Sequence, residues 1–298
     1  MRFSTGFIVG LLAACSAPAA DGDANAAKAT SVRELPVEHR AVLEAYSSGG
    51  VRWESERERV LADPKLARFL IENLTLELVR AHRGLSGTEP ERAQAAYDRA
   101  RDELVRCDAL AAPTLAAFLD VADPVSASVV IVVLEEIGRA AVEPTAAVLE
   151  SKSEHARRRA AEVLAHQPHA GAQAEARVRQ RMIDAFEREP EWTTRTALAR
   201  ALAARGSRDG DVVPWRNALH KGLLDVDPAV VEASADGIAG LGDERSIPIL
   251  IDVLERHVAA GDVRRTQALQ RALVGLSHEP EKPSIAAWRA WWEQRARR

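Results

Sequence analysis

Aromatic side chains are scarce in this chain: Phe, Trp and Tyr make up 4% of its 298 residues. A core without them has to be assembled mainly from Ala, Leu, Val and Ile. Cysteine is scarcer still. Two residues, Cys15 and Cys107, cannot build a disulfide framework or a four-cysteine zinc site. A surplus of one charge sign is also missing. Forty basic against 44 acidic residues give a formal net charge of -4, without the basic excess of a duplex-binding domain. The one apolar run near Met1 falls well short of the roughly 20 residues a bilayer-spanning helix needs.

Reaction motifs are lacking too. The chain has no His-Glu-x-x-His, no Gly-x-Ser-x-Gly and no glycine loop leading into Lys-Ser/Thr. What could pass for chemistry reads as structure. His166 and His169 are three apart, but Pro168 between them ends a helix, so they share no face. Asp21-Gly-Asp23 and Asp209-Gly-Asp211 lack the further ligands of a calcium loop and read as turns. Cys107 stands alone on an apolar helical stripe as a small core residue. Adjacent Glu135 and Glu136 point in different directions on a helix. Arg157-Arg158-Arg159 and the tail Arg295, Arg297 and Arg298 read as solvated helix faces. The sequence therefore calls for no catalytic residue, no metal and no cofactor.

What is present is helix. Hydrophobic residues are 47% and charged residues 28%, the balance of a soluble folded protein. Long stretches read Ala, Arg, Glu and Leu, strong helix formers. Pro36 opens a segment closed by Ser47-Ser-Gly-Gly50. Asp63-Pro64 opens another, with Leu66, Phe69, Leu70, Leu74, Leu78 and Val79 at helical spacing up to Gly84. Thr88 to Glu91 has the Thr-x-x-Glu form of a capping box, which predicts a helix starting there with Ala96, Tyr97, Ala100, Leu104 and Cys107.

Beyond residue 108 the pattern repeats. Asp123-Pro124 opens a run closed by Gly138 and followed by Pro144; Asp227, Pro228, Gly242 and Pro248 recur 104 positions later. Asp caps the first free N–H groups, Pro suits the first helical turn, and Gly takes the left-handed conformation that stops a helix. That offset is about three units of roughly 35 residues. Two weaker units lie between, Ala156–Phe186 and Trp192–Leu224, with turns at Pro168–Gly171 and Gly206–Gly210. Val129–Leu134, a run that alone would read as a buried strand, is predicted helical by its cap, its Gly stop and its register.

The sequence Asp-Pro-x-Val, Ala, Ile, Leu-Gly-Asp, Ile-Pro-x-Leu, Leu over 227–254 resembles the HEAT repeat, in the short form also found in phycobilisome-lyase-like proteins. The unit at 123–149 is similar to it, with Arg139 where the family prefers Asp. This implies an all-α fold, an α-solenoid of helical hairpins, over residues 108–298, after an N-terminal helical region at 36–107. The last helix carries Trp288, Trp291 and Trp292 at i, i+3 and i+4 and is expected to close the end of the array.

The first residues read as an address. Arg2 precedes an apolar run that ends Leu12-Ala13-Ala14-Cys15, which resembles the bacterial lipobox. The resemblance implies a signal peptide over 1–14, lipidation of Cys15 and delivery to the cell envelope, with the outer membrane facing the periplasm as the destination. An ordinary cleaved secretion signal and an uncleaved tail are the alternatives. Residues 15–35, rich in Ala with Pro18 and Gly22, read as a flexible tether.

The function implied is a membrane-tethered scaffold for a protein or peptide partner, not an enzyme and not a nucleic-acid binder. In HEAT-like arrays the second helix of each pair lines the binding side. The positions facing away from its apolar stripe are Arg177, Arg181, Arg216, Asn217, Lys221, Asp252 and Arg256. Their mixed charge favours a protein partner. A lyase-like or enzyme-accessory role is the alternative; a nucleic-acid-binding role is disfavoured by the net charge and the export signal.

Overall fold

A computed structural model describes residues 35–297. Cys15 and the segments expected as signal and tether lie outside the described residues, apart from Leu35. Every regular element among the described residues is helical. The chain forms two compact units that divide at Leu115/Ala116, inside the short helix α5 (Ala112–Ala117).

Unit 1 holds α1 (Val37–Ser48), α2 (Gly50–Ala62), α3 (Pro64–Gly84) and α4 (Pro90–Cys107). α3 and α4 pair along their lengths, with α1 and α2 laid against α3. Asp63 caps α3 by accepting from the N–H groups of Lys65 (2.8 Å) and Leu66 (3.3 Å). Leu70, Leu74, Leu78 and Leu104 are fully buried. Two readings need correction. The Thr88 capping box does not form: α4 starts at Pro90 behind Glu89, with no side-chain cap. A residue before proline is driven out of the helical region, so Glu89 cannot be the first helical residue that a Thr88 cap requires. The second is α2, which the sequence left unassigned. Gly49 and Gly50 turn the chain at φ +63 and +53, and helix resumes at once.

Unit 2 is a series of helix pairs. The first helices are α6 (Pro124–Ile137), α8 (Glu154–His166), α10 (Trp192–Gly206), α12 (Pro228–Leu241) and α14 (Val263–Ser277). The second helices are α7 (Val142–Ala147, continued at both ends by 3-10 turns), α9 (Ala172–Arg188), α11 (Val213–Gly222), α13 (Ile247–Ala259) and α15 (Ile285–Ala296). α8, α10, α12 and α14 lie side by side in one row, and the second helices pack on it chiefly against the first helix that follows: α7 on α8, α9 on α10, α11 on both α10 and α12, and α13 on α14. Neighbouring first helices pack along their lengths, whereas successive second helices touch at fewer points. Small residues permit this closeness: a Cβ on Gly237 of α12 would stand 2.8 Å from the Ala203 Cβ of α10.

The predicted signals work as their chemistry requires. Asp123 accepts from Ser126 N–H at 2.9 Å, and Asp227 from Ala229 N–H at 2.8 Å. Gly138 and Gly242 close their helices at φ +68 and +70. Val129–Leu134 is helix, with Val129, Val130, Val133 and Leu134 buried and Val132 outward. At the far end Trp288 is 1% exposed, while Trp291 and Trp292 are half-buried beside it.

Candidate functional site

Three sets of charged residues in unit 2 hold its helices together or face outward from them. The first set clamps the junctions between pairs. Arg157, fourth residue of α8, grips both carboxylate oxygens of Glu189 (2.7 and 2.8 Å) and donates to the carbonyls of Ser151 and Lys152. Arg195, fourth residue of α10, does the same with Asp225 (2.7 and 3.0 Å) and the carbonyls of Glu189 and Pro190. Arg265, near the start of α14, reaches the Val226 carbonyl and Asp262. Arg159, 8% exposed, donates to the carbonyls of Leu119 and Val121 at 2.8 and 2.6 Å. The solvated-face reading of Arg157–Arg159 is therefore corrected: Arg158 faces outward, while its two neighbours hold loops. Their acceptors lie about one repeat away in sequence, so no local pattern marks them. The nearest available signal is the recurrence of Arg at the fourth position of successive first helices.

The second set is buried. Arg205 of α10, 2% exposed, holds Glu175 of α9 through Nε at 2.7 Å and through a second nitrogen, and gives a further bond to the Leu164 carbonyl at 3.0 Å. Glu175 also accepts from Ala170 N–H at 3.0 Å. Burial pushes the Glu175 carboxyl up, but the Arg205 guanidinium and that N–H outweigh it and hold the carboxyl below its ordinary range.

The third set is the row predicted as a contact surface. Arg177 pairs with Glu143 of α7 at 2.7 Å and Arg181 with Glu150 at 3.4 Å. Lys221 of α11 pairs with Glu187 of α9. Arg216 reaches Asp243 at 2.6 Å and leaves its side chain only 14% exposed; it also donates to Asn217 Oδ1 at 3.4 Å. Asp252 accepts from Arg289 of α15 at 2.8 Å, and Arg256 is exposed. The second helices are thus laced to one another by ion pairs, exposed at Arg177, Arg181 and Lys221, and sheltered at Arg216.

Nothing else converges on a reaction centre among the described residues. No group of three or more His, Cys, Asp or Glu there is placed to hold a metal. His166 is exposed beside Glu135, while the His169 ring accepts from Gly171 N–H. Asp209 serves Trp215 Nε1 (2.9 Å) and Arg179 (3.1 Å). Burial pushes the Cys107 thiol up to about 11. No helix of the described residues is long and apolar enough to cross a membrane.

Residues 179–272 match the family model for HEAT repeats. No curated protein matches the chain. Among solved structures, an engineered protein shares 18% identity over 67% of this chain and 96% of its own, with a TM-score of 0.42. A designed armadillo repeat protein solved with the peptide (KR)4 shares 16% over 67% and 99%, with a TM-score of 0.44. A computationally designed armadillo repeat protein for modular peptide recognition shares 14% over 80% and 98%, also at 0.44. The family match falls on α9 to α14, the helix pairs whose stacking has just been described, so this chain carries HEAT repeats and its second unit is a HEAT-like α-solenoid.

Proposed function

We propose that the chain is a non-catalytic scaffold that holds a protein or peptide partner at the bacterial cell envelope, tethered by lipid on Cys15. The observation that carries the partner reading is the repeat itself. Each helix pair adds a further outward face beside the last, giving an extended surface that suits a chain-like ligand. On the second-helix row that surface carries both signs: Arg177, Arg181, Lys221 and Arg256 beside Glu143, Glu150, Glu187, Asp252 and Glu255. Mixed charge favours a protein over a polyanion. Arg216 and Asn217 adjoin this row at α11. The tether rests on Arg2, the apolar run and Leu12-Ala13-Ala14-Cys15. Two acyl chains anchor stably where one does not, and an outer-membrane site facing the periplasm follows from that address.

Two measurements test the two halves. Mass spectrometry of the mature chain is expected to find an acylated N-terminal Cys15; a chain starting at Met1 or Asp21 ends the lipoprotein reading. In-cell crosslinking of the tethered protein is expected to trap a specific partner. Reversing Arg177, Arg181 and Lys221 together to Glu is expected to weaken that capture at least tenfold, with the circular dichroism of the variant unchanged. Undiminished capture by the folded variant removes this surface from the proposal.

A further inference from the structure

α15 is seated differently from the other second helices. α7, α9, α11 and α13 each lie on a first helix of the row, whereas α15 packs chiefly on α13. Trp288 is the one buried residue of its twelve; α13 buries five of thirteen and α14 six of fifteen. The indole is also imperfectly housed. Its buried Nε1 has no acceptor, which forfeits the hydrogen bond that water supplies when the helix is free. The polar ties of α15 to α13 are open to solvent. Arg289 reaches Asp252 at 2.8 Å and Glu255 at 2.7 Å, and Arg295 reaches Glu244, in the turn before α13, at 3.0 Å. All five side chains are between 38% and 56% exposed, where ion pairs contribute little. Residues 278–284, which lead into α15, form no helix and carry Pro280 and Pro283.

Charge identifies what suits this seat. Glu143 of α7 and Glu150 just beyond it meet Arg177 and Arg181 of α9, and Glu187 of α9 meets Lys221 of α11. Between α11 and α13 the sign is reversed, through Arg216 and Asp243. On α13 it returns: Asp252 and Glu255, with Glu244, meet the arginines of α15. Among the described residues these three carboxylates form ion pairs with α15 alone. Lifting α15 leaves them unpaired around the place Trp288 had filled. An acidic rim about an apolar hole is complementary to a basic helix with an aromatic anchor. α15 has that form. Trp288, Trp291, Trp292 and Arg295 share one helix face, with Arg289 at its flank.

We propose that the α13 face bearing Glu244, Asp252 and Glu255 is a docking site for a cationic, tryptophan-bearing helix of a partner protein, and that α15 fills it as an internal stand-in that the partner displaces. This seat presupposes the scaffold function proposed above and adds the chemistry of one partner. The probe is a fluorescently labelled synthetic peptide of residues 284–298, added to the full chain in detergent. The wild type, with the seat filled from within, is expected to bind it weakly. Arg289→Glu with Arg295→Glu in the chain repels α15 from α13 and is expected to tighten peptide binding at least ~10-fold, the competition of an internal ligand being removed. Should that variant not fold, as judged by circular dichroism, Arg289→Ala with Arg295→Ala is expected to tighten it at least ~3-fold. Adding Glu244→Arg, Asp252→Arg and Glu255→Arg to the first variant restores attraction to α15 and repels the peptide, and is expected to abolish the gain. Equal affinity of wild type and a folded open variant, no binding to either, or a gain that the charge-swapped protein retains would overturn the proposal. Such a result leaves the scaffold reading standing, because capture through Arg177, Arg181 and Lys221 is read on α9 and α11.

Discussion

Unit 1 and unit 2 both tie helices together with arginine and carboxylate, but they distribute the work differently. In unit 1 the ties between α2 and α4 gather on two carboxylates, of which one is buried. Glu103, 4% exposed, accepts from Trp53 Nε1 (3.1 Å) and Arg57 Nε (2.7 Å) of α2, besides an Arg106 nitrogen (3.3 Å) of its own helix, while the exposed Glu54 takes both terminal nitrogens of Arg106 at 2.9 Å. In unit 2 the same chemistry is spread over successive junctions, each with its own clamp. A hub concentrates the cost of its loss on one pair of helices. A ladder shares that cost, except where a member is buried so deeply that it behaves as a hub. Arg205 and Glu175 are that exception.

Breaking the buried pair is therefore the largest effect expected anywhere in the chain. Arg205→Ala strands the Glu175 carboxylate in the core and should destabilise unit 2 by about 3–5 kcal/mol in denaturant unfolding. Arg205→Met with Glu175→Leu should recover most of that loss, because two apolar side chains leave no buried charge behind. A single variant no worse than the double would show that the pair is not desolvated as its 2% and 3% side-chain exposures indicate. Next comes the unit 1 hub. Glu103→Ala leaves the Trp53 indole N–H and the Arg57 guanidinium without their acceptor, an expected cost of about 2–3 kcal/mol. Hydrogen exchange should localise it, with faster exchange in α2 and α4 and unchanged rates in α8 to α14. Equal acceleration in both units would contradict the contrast between them.

How much of this was legible in the sequence depends on where each cause sits. α6 and α12 were readable because their caps, first-turn prolines and glycine stops are local, and each acts within a few residues. The helical state of Val129–Leu134 followed from those same signals. α2 was not, because only Trp53 and Val60 are buried in a helix whose middle is otherwise Arg, Glu and Ser. Two anchors seven residues apart are a faint stripe, and the Gly-Gly before them looks like a terminus. The capping box failed on a neighbour effect, the proline after Glu89. The clamps were invisible for a different reason: Arg157 and Arg159 are buried by loops 32 residues later and 38 residues earlier. A run of three arginines looks solvated until those loops arrive. The proposed contact row was readable as an outward face, but not its lacing, which requires knowing which second helices are adjacent.

Within the ladder, a sheltered rung should matter more than an open one. Arg195→Ala removes a two-point grip on Asp225 and two carbonyl contacts at a site where both side chains are about 15% exposed or less. The expected loss is about 2 kcal/mol. Acid gives a smaller and graded effect through Glu175. Its folded pKa lies below the unfolded value of about 4.3, so its stabilisation is fully present above that value. It is lost as pH falls through the depressed folded pKa. Glu175→Gln should flatten stability against pH in that acid window and leave its slope near neutrality unchanged. An unaltered acid limb would exclude the pair as its source.

The smallest effect is the most informative about the second-helix row. Arg177 and Glu143 meet at 2.7 Å, as close as Arg195 and Asp225, yet their side chains are 52% and 43% exposed. In water the attraction is weakened by solvent and salt, and ordering two long side chains offsets much of what remains. Arg177→Ala should leave the unfolding midpoint unmoved within error. Arg195→Ala also loses a second carboxylate bond and two carbonyl bonds that Arg177 lacks, so the contrast reads burial together with bond number at a matched closest distance. Added salt sharpens it: the response of Arg177→Ala should be the same at low and high ionic strength, and Arg195→Ala should still be destabilised at both. If Arg177→Ala instead costs as much as Arg195→Ala, the outer row is a structural brace. Its arginines would then no longer be available to a partner without loss of stability, and the proposed contact surface would have to move to another face of unit 2.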